Sequence, residues 1–104
     1  MSRALALLAI ILGASACGES APTGALAQRG RQIYLSQCIA CHATDPSQAG
    51  PLGPPVKGSS RELLEAKVVK GTYPPGYRPK RPTAVMPPQP GLAPEIPALA
   101  EFLK

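Results

Sequence analysis

Apolar residues recur at helical spacing in three segments of the chain, and this pattern predicts three α-helices. The helices are expected at about residues 24–37, 60–70 and 96–103. No stretch alternates apolar and polar residues over several positions, so no significant sheet is expected and the fold class is all-α. The residues expected to face the core are Leu26, Gly30, Ile33, Tyr34, Leu64, Val68, Leu99, Phe102 and Leu103.

Residues typical of helix ends accompany two of these segments. Thr23 is a candidate N-cap for the first helix. Ser59 and Glu62 have the spacing of a capping box for the second helix, and Gly71 is placed to end it. Pro97 near the start of the third helix indicates a late or kinked beginning.

Proline dominates the second half of the chain. Twelve of the 14 prolines lie between Pro51 and Pro97, so long loops must join the helices there. The chain has 104 residues, one Phe, three Tyr and no Trp, which leaves little material for an apolar core. A domain of this kind needs disulfides, a metal or a large prosthetic group to hold it together.

The N-terminus has the pattern of a secretory signal. Arg3 precedes an uncharged apolar run that ends in Gly13-Ala14-Ser15-Ala16, so residues 1–16 are interpreted as a signal peptide. The run is shorter than the roughly 20 apolar residues of a spanning helix. The alternative is a buried N-terminal helix, although no polar residue marks a second face.

Cys17 follows this segment directly. Ala14-Ser15-Ala16-Cys17 resembles the lipobox of bacterial lipoproteins, except that Ala14 stands where Leu is commonest. We therefore expect lipidation of Cys17, with residues 17–24 as the lipidated N-terminus and tether and a membrane anchor on the periplasmic side. The alternative is cleavage by ordinary signal peptidase, which would leave a soluble periplasmic protein.

The other two cysteines form the string Cys38-Ile39-Ala40-Cys41-His42, the signature of covalent haem attachment. Two thiols three residues apart lie on adjoining parts of a helical turn and can bond two vinyl groups on one porphyrin edge. His42 can then bind the iron from the same side. A thioredoxin-like pair lacks its βαβ context, a zinc site lacks four ligands, and a disulfide leaves the small core unsupported. One haem c, held by Cys38 and Cys41, is the predicted cofactor.

Met86 is the candidate for the second axial position. It is the only Met besides the initiator, the chain has no second His, and it lies 44 residues beyond His42. Met is more often a core filler. However, Pro87 biases Met86 toward extended backbone and Pro88 stiffens the exit, so a rigid loop could present the thioether. Ligation by His42 and Met86 closes the iron and favours electron transfer over substrate chemistry.

Charge adds a hypothesis about partners. The formal net charge is +5, and the basic excess falls between residues 57 and 81. Such a patch can dock to acidic protein surfaces or anionic lipid, or it can be only a solvated face. Export argues against nucleic-acid binding. The basic residues are Lys57, Arg61, Lys67, Lys70, Arg78, Lys80 and Arg81.

Taken together, these motifs resemble the class I bacterial c-type cytochromes, in their short monohaem form, over about residues 25–104. The resemblance implies a cytochrome c domain with three main helices and Pro-rich loops around one covalent haem. It also implies that the carbonyl of Pro54 accepts a hydrogen bond from His42, and that Gly30 meets Phe102 where the first and last helices cross. The segments that carry it are residues 30–42, 53–58, 85–88 and 95–104.

The haem would supply the missing apolar body of the core. Either Tyr73 or Tyr77 could hydrogen-bond a haem propionate, or serve only in packing. The residues expected to line the haem are Leu52, Val56, Leu64, Val68 and Leu92.

The predicted function is electron transfer without catalytic residues of the chain's own. The leading hypothesis is an exported carrier that exchanges electrons with redox proteins carrying acidic docking surfaces. The alternatives are a dedicated haem subunit of a larger periplasmic oxidoreductase, for sulfur-compound oxidation or for feeding a terminal oxidase, and a gas sensor in which Met86 detaches. The chain is expected to be a monomer or a subunit of a hetero-complex.

Overall fold

The computed structural model describes residues 22–104, which form three helices joined by long loops and contain no strand. Helix α1 spans Pro22–Gln37. It begins two residues earlier than predicted, so Thr23 lies inside its first turn and the predicted N-cap is wrong. The fold class is all-α, as predicted.

Helix α2 is shorter and less regular than the predicted single helix. It spans Arg61–Leu64 and continues as a π-helical turn over Glu65–Val69. Its N-cap is Ser60, whose hydroxyl accepts a hydrogen bond from the amide of Leu63 at 3.1 Å. The predicted Ser59–Glu62 capping box is therefore wrong by one residue: the Ser59 hydroxyl instead donates to the carbonyl of Val56.

Helix α3 spans Ile96–Leu103, as predicted, with Pro97 in its first turn. A 3-10 helix over Pro90–Glu95 leads into it, which the sequence pattern did not reveal. A proline is accommodated in a first turn, so Pro97 does not kink the helix.

Helices α1 and α3 cross at Gly30. A Cβ at this position would lie 2.6 Å from the carbonyl carbon of Ala98 and 2.8 Å from Cβ of Phe102. Only glycine permits this approach, and the contact agrees with what the family resemblance implies. The ring of Phe102 also packs against Tyr34, with ring centroids 5.5 Å apart.

The buried core is small and lies where these helices meet. Leu26 was predicted to be buried but is 40% exposed, because the packing face of α1 starts one turn later, at Gly30. Phe102 is half-buried and Ile33 packs at the edge of the core. The buried apolar side chains among the described residues are Tyr34, Leu64, Val68, Ile96, Ala98, Leu99 and Leu103.

Candidate functional site

The cysteines and the histidine of the sequence motif lie on a turn that continues directly from α1. The amide of Cys38 donates to the carbonyl of Tyr34 at 2.9 Å, which extends the helical bonding by one residue. The amides of Cys41 and His42 both donate to the carbonyl of Cys38, at 3.3 and 3.0 Å. The backbone therefore holds both sulfurs and the imidazole in one compact turn, as the spacing predicted.

Both cysteines are half-buried and line one cleft. Burial raises the pKa of the Cys38 thiol to about 11. Redox-active and metal-binding cysteines depend on the thiolate and have lowered pKa values. Covalent haem attachment would add each thiol to a vinyl group, with the sulfur bonding one carbon and the hydrogen going to the other.

His42 is buried, and its ring is held from two sides. Its Nδ1–H donates to the carbonyl of Pro54 at 2.9 Å. This bond leaves Nε2 of the neutral ring with a free lone pair, which is the form that binds a metal. The backbone of Gly53 lies against the ring, so that a Cβ there would be only 2.9 Å from Nε2 and closer still to Cε1 and Nδ1.

We call residues 38–57 the His42 loop. Backbone hydrogen bonds tie it to itself: the amides of Leu52 and Gly53 donate to the carbonyl of Cys41 at 3.2 and 2.8 Å. The amides of Val56 and Lys57 donate to the carbonyl of Pro46 at 2.8 and 3.0 Å. The bonds to Cys41 fix Gly53 and Pro54 beside the imidazole, and these bonds are formed by the main chain rather than by side chains.

Tyr34, on α1, also contacts the His42 loop. The sequence predicted it only as a core residue. It is 1% exposed, and its hydroxyl donates to the carbonyl of Ala43, the residue after His42. A buried tyrosine hydroxyl requires a hydrogen-bond partner. The sequence signal was a Tyr rather than a Phe on the packing face of α1, but the sequence could not identify the partner.

Met86 lies on a separate loop, in residues 83–89 that have no helix, strand or turn. It is half-buried, packs against the hydrophobic core and lines the same cleft as His42. Its neighbour Val85 is 64% exposed. The structure thus brings together at one cleft the two candidate axial ligands, which are 44 residues apart in the sequence.

The cleft is large and mainly apolar, and it encloses about 1050 Å³ in a volume open to solvent. Leu92 was predicted to line the cleft but packs against the core outside it. Apolar residues on the wall include Leu52, Val56, Leu63, Leu64, Val68, Val85 and Leu99.

Polar groups gather at the rim of the cleft. The rings of Tyr73 and Tyr77 stack with centroids 5.3 Å apart, and the Lys67 ammonium lies 4.4 Å from the centroid of Tyr73. Lys80 and Arg81 line the cleft as well. A propionate bond to either tyrosine stays a prediction; the cation–π contact and the two basic residues at the cleft were not anticipated from the sequence.

The predicted signal peptide and the lipidation site at Cys17 lie outside the described residues. Among residues 22–104, no helix has the length and apolar character that crossing a membrane requires. In the same range, no three His, Cys, Asp or Glu side chains cluster as metal ligands would.

In a comparison with protein families, the family model described as Cytochrome c matches residues 27–104. The matched range contains the His42 loop, the loop of residues 83–89 that carries Met86, helices α2 and α3, and most of α1. A comparison with curated proteins finds no match.

Proposed function

This chain belongs to the cytochrome c family, and from that premise we propose that it is an exported monohaem electron carrier with His42 and Met86 as axial ligands of the haem iron. The family membership establishes a haem-binding electron-transfer protein with haem c attached through Cys38 and Cys41. The axial pair, the cellular location and the partners belong to the proposal.

One observation carries the axial assignment: a buried imidazole with its Nδ1 already bonded to Pro54 shares a cleft with Met86. The residues present fit a covalent haem, because two thiols, a free imidazole nitrogen, a thioether and apolar walls converge on one large cavity. When bound, the haem supplies an iron that cycles between Fe(II) and Fe(III).

The chain's own residues would control that iron without taking part in bond making. The Pro54 carbonyl fixes the tautomer and orientation of His42 and increases its donor strength. A methionine in the sixth position raises the reduction potential. Apolar residues such as Leu64 and Val68 would lie against the haem. This supports a carrier rather than an enzyme.

Arg3, the apolar run that follows it and Cys17 support export with a lipid anchor on the periplasmic side. The cations between residues 57 and 81 support docking to redox proteins with acidic surfaces. Intact-mass measurement of the mature N-terminus tests the anchor, since only a lipidated Cys17 adds an acyl mass. An electron-transfer rate that falls as salt concentration rises would support acidic docking.

The experiment that tests the axial assignment is a pair of absorption spectra, oxidised and reduced, of the wild type and of Met86→Ala. The wild type is expected to be low-spin, with a weak near-infrared sulfur-to-iron band in the oxidised form. Met86→Ala should lose that band and bind carbon monoxide when reduced, because the iron then has an open position.

Ala84→Ser is the matched control, since Ala84 is exposed, lies two residues before Met86 and does not line the cleft, so the spectrum should stay unchanged. An unchanged spectrum of Met86→Ala would contradict the axial assignment while leaving haem attachment intact.

A further inference from the structure

The segment that carries Met86 has almost no backbone support. We call residues 78–88 the Met86 segment. Backbone–backbone hydrogen bonds between described residues reach Tyr77 before it and Gln89 after it, and none involves a residue within it. Four of its 11 residues are proline and have no amide hydrogen to donate. Proline stiffens the segment but does not fix its position against the rest of the fold.

Two side chains bond the Met86 segment to its neighbours. The Lys80 ammonium donates to the carbonyl of Pro55 at 2.7 Å, and the Arg81 guanidinium donates to the carbonyl of Leu52 at 3.1 Å. Both donors are charged and therefore form stronger hydrogen bonds than neutral donors do. No other side-chain hydrogen bond of this segment is present among the described residues.

The accepting carbonyls lie on either side of the one that binds His42. Leu52 and Pro55 bracket Pro54, whose carbonyl accepts from the imidazole. This part of the His42 loop is held firmly by the backbone bonds to Cys41 and Pro46. A weakly bonded segment is thus attached to a strongly bonded one at the point where the proximal ligand is oriented.

We propose that Lys80 and Arg81 are positioning residues that clamp the Met86 segment to the His42 loop, and so keep the Met86 thioether in place on the iron. The proposal rests on the proposed ligation by Met86. It gives these two cations a role inside the molecule, distinct from the general basic character that favours docking.

The test compares the holoprotein with three double variants. Lys80→Ala/Arg81→Ala, which we call the clamp variant, removes both donors. Lys70→Ala/Arg78→Ala is the control, because it removes the same charge from two exposed residues that make no side-chain hydrogen bond among the described residues. Lys80→Arg/Arg81→Lys keeps a charged donor at each position and should restore the wild-type behaviour.

Two readouts follow the iron–sulfur bond rather than general stability. In the clamp variant, we expect the near-infrared band of the oxidised protein to weaken at neutral pH. We also expect carbon monoxide to bind the reduced protein about tenfold faster, because Met86 leaves the iron more often. The control should match the wild type in both. If the double variant does not mature, each single alanine variant should show a smaller change in the same direction.

The outcomes separate this proposal from the proposed function. A wild type without the sulfur-to-iron band would contradict Met86 ligation itself. A normal wild type and a clamp variant indistinguishable from the control would overturn the clamp alone. A clamp variant with unchanged carbon monoxide kinetics but an altered pH dependence of the reduction potential would also overturn it, and would assign the two cations to the haem carboxylates.

Discussion

The His42 loop and the Met86 segment supply the two proposed iron ligands, yet they are built by different means. Backbone hydrogen bonds hold the His42 loop, and His42 itself is buried. The Met86 segment has no such bonds within the described part of the chain and depends on prolines and on two cationic side chains. Main-chain geometry therefore fixes His42, the proposed proximal ligand, and we expect Met86, the proposed distal ligand, to be displaced at a lower cost in free energy.

The largest expected effect comes from removing the group on which both segments depend. Cys38→Ala/Cys41→Ala cannot attach haem, so the cleft of about 1050 Å³ loses its covalently held occupant. Only seven apolar side chains are buried among the described residues, and a domain of this size has a free energy of unfolding of only about 5–10 kcal/mol. We expect most of the far-ultraviolet helical signal and the cooperative thermal transition to be lost.

Each single cysteine variant is the comparison for this experiment, because one thioether should still retain the haem by intact mass. A double variant that stayed helical and unfolded cooperatively would break the comparison. It would mean that the backbone bonds of the His42 loop persist without the prosthetic group.

Adding one methyl group beside His42, in Gly53→Ala, should have the next largest effect on stability. This variant tests how firmly the His42 loop is held. In Gly53→Ala the new Cβ would meet the His42 ring, and neither can move easily because the amide of Gly53 is bonded to the carbonyl of Cys41. The ring must tilt and weaken its bond to Pro54. We expect a loss of about 1–3 kcal/mol in the free energy of unfolding, measured by denaturant titration, with a shifted reduction potential.

Gly91→Ala is the matched control, since a Cβ there would meet no atom within 4 Å. If Gly53→Ala were as harmless as Gly91→Ala, the His42 loop would be softer than its hydrogen bonds indicate.

The features that the sequence predicted well are those set by local spacing. The Cys38–His42 turn, the buried Leu64 and Val68, and the bounds of α3 follow from positions three to four residues apart. The N-cap of α2 shows where prediction from local spacing fails. Ser59 and Ser60 are adjacent residues of the same type, and only the hydrogen bond from Ser59 to Val56 decides which serine caps α2.

The hydrogen bonds of Lys80 and Arg81 could not be predicted from the sequence. These residues lie 25 and 29 positions from their acceptors, and any residue type can supply a backbone carbonyl. The position of Leu92 likewise depends on how the 3-10 helix turns after the Met86 segment. Sequence analysis therefore identified the two proposed ligands but not the hydrogen bonds that join the Met86 segment to the His42 loop.

The smallest expected effect concerns the distal side of the proposed haem site, which carries Met86, at the end where the 3-10 helix after the Met86 segment is bonded to α1. The Arg29 guanidinium donates two hydrogen bonds to the Glu95 carboxylate, at 2.6 and 3.0 Å, and this partner lowers the pKa of Glu95 below its ordinary value. A lowered carboxylate pKa contributes stability that is complete above the unfolded-state pKa, near 4.5, and is lost as pH falls through the folded-state pKa.

Glu95→Gln should therefore lower the melting temperature slightly at pH 7, because an exposed ion pair contributes little. The difference between variant and wild type should shrink below pH 4.5 and close at lower pH. Glu101→Gln, which loses a surface pair with Lys104 at the end of the chain, is the control. Added salt should reduce the Glu95→Gln effect at pH 7. A difference that persisted unchanged in acid would show that Glu95 acts through packing, and the distal side would then be held at this end by more than side-chain charge.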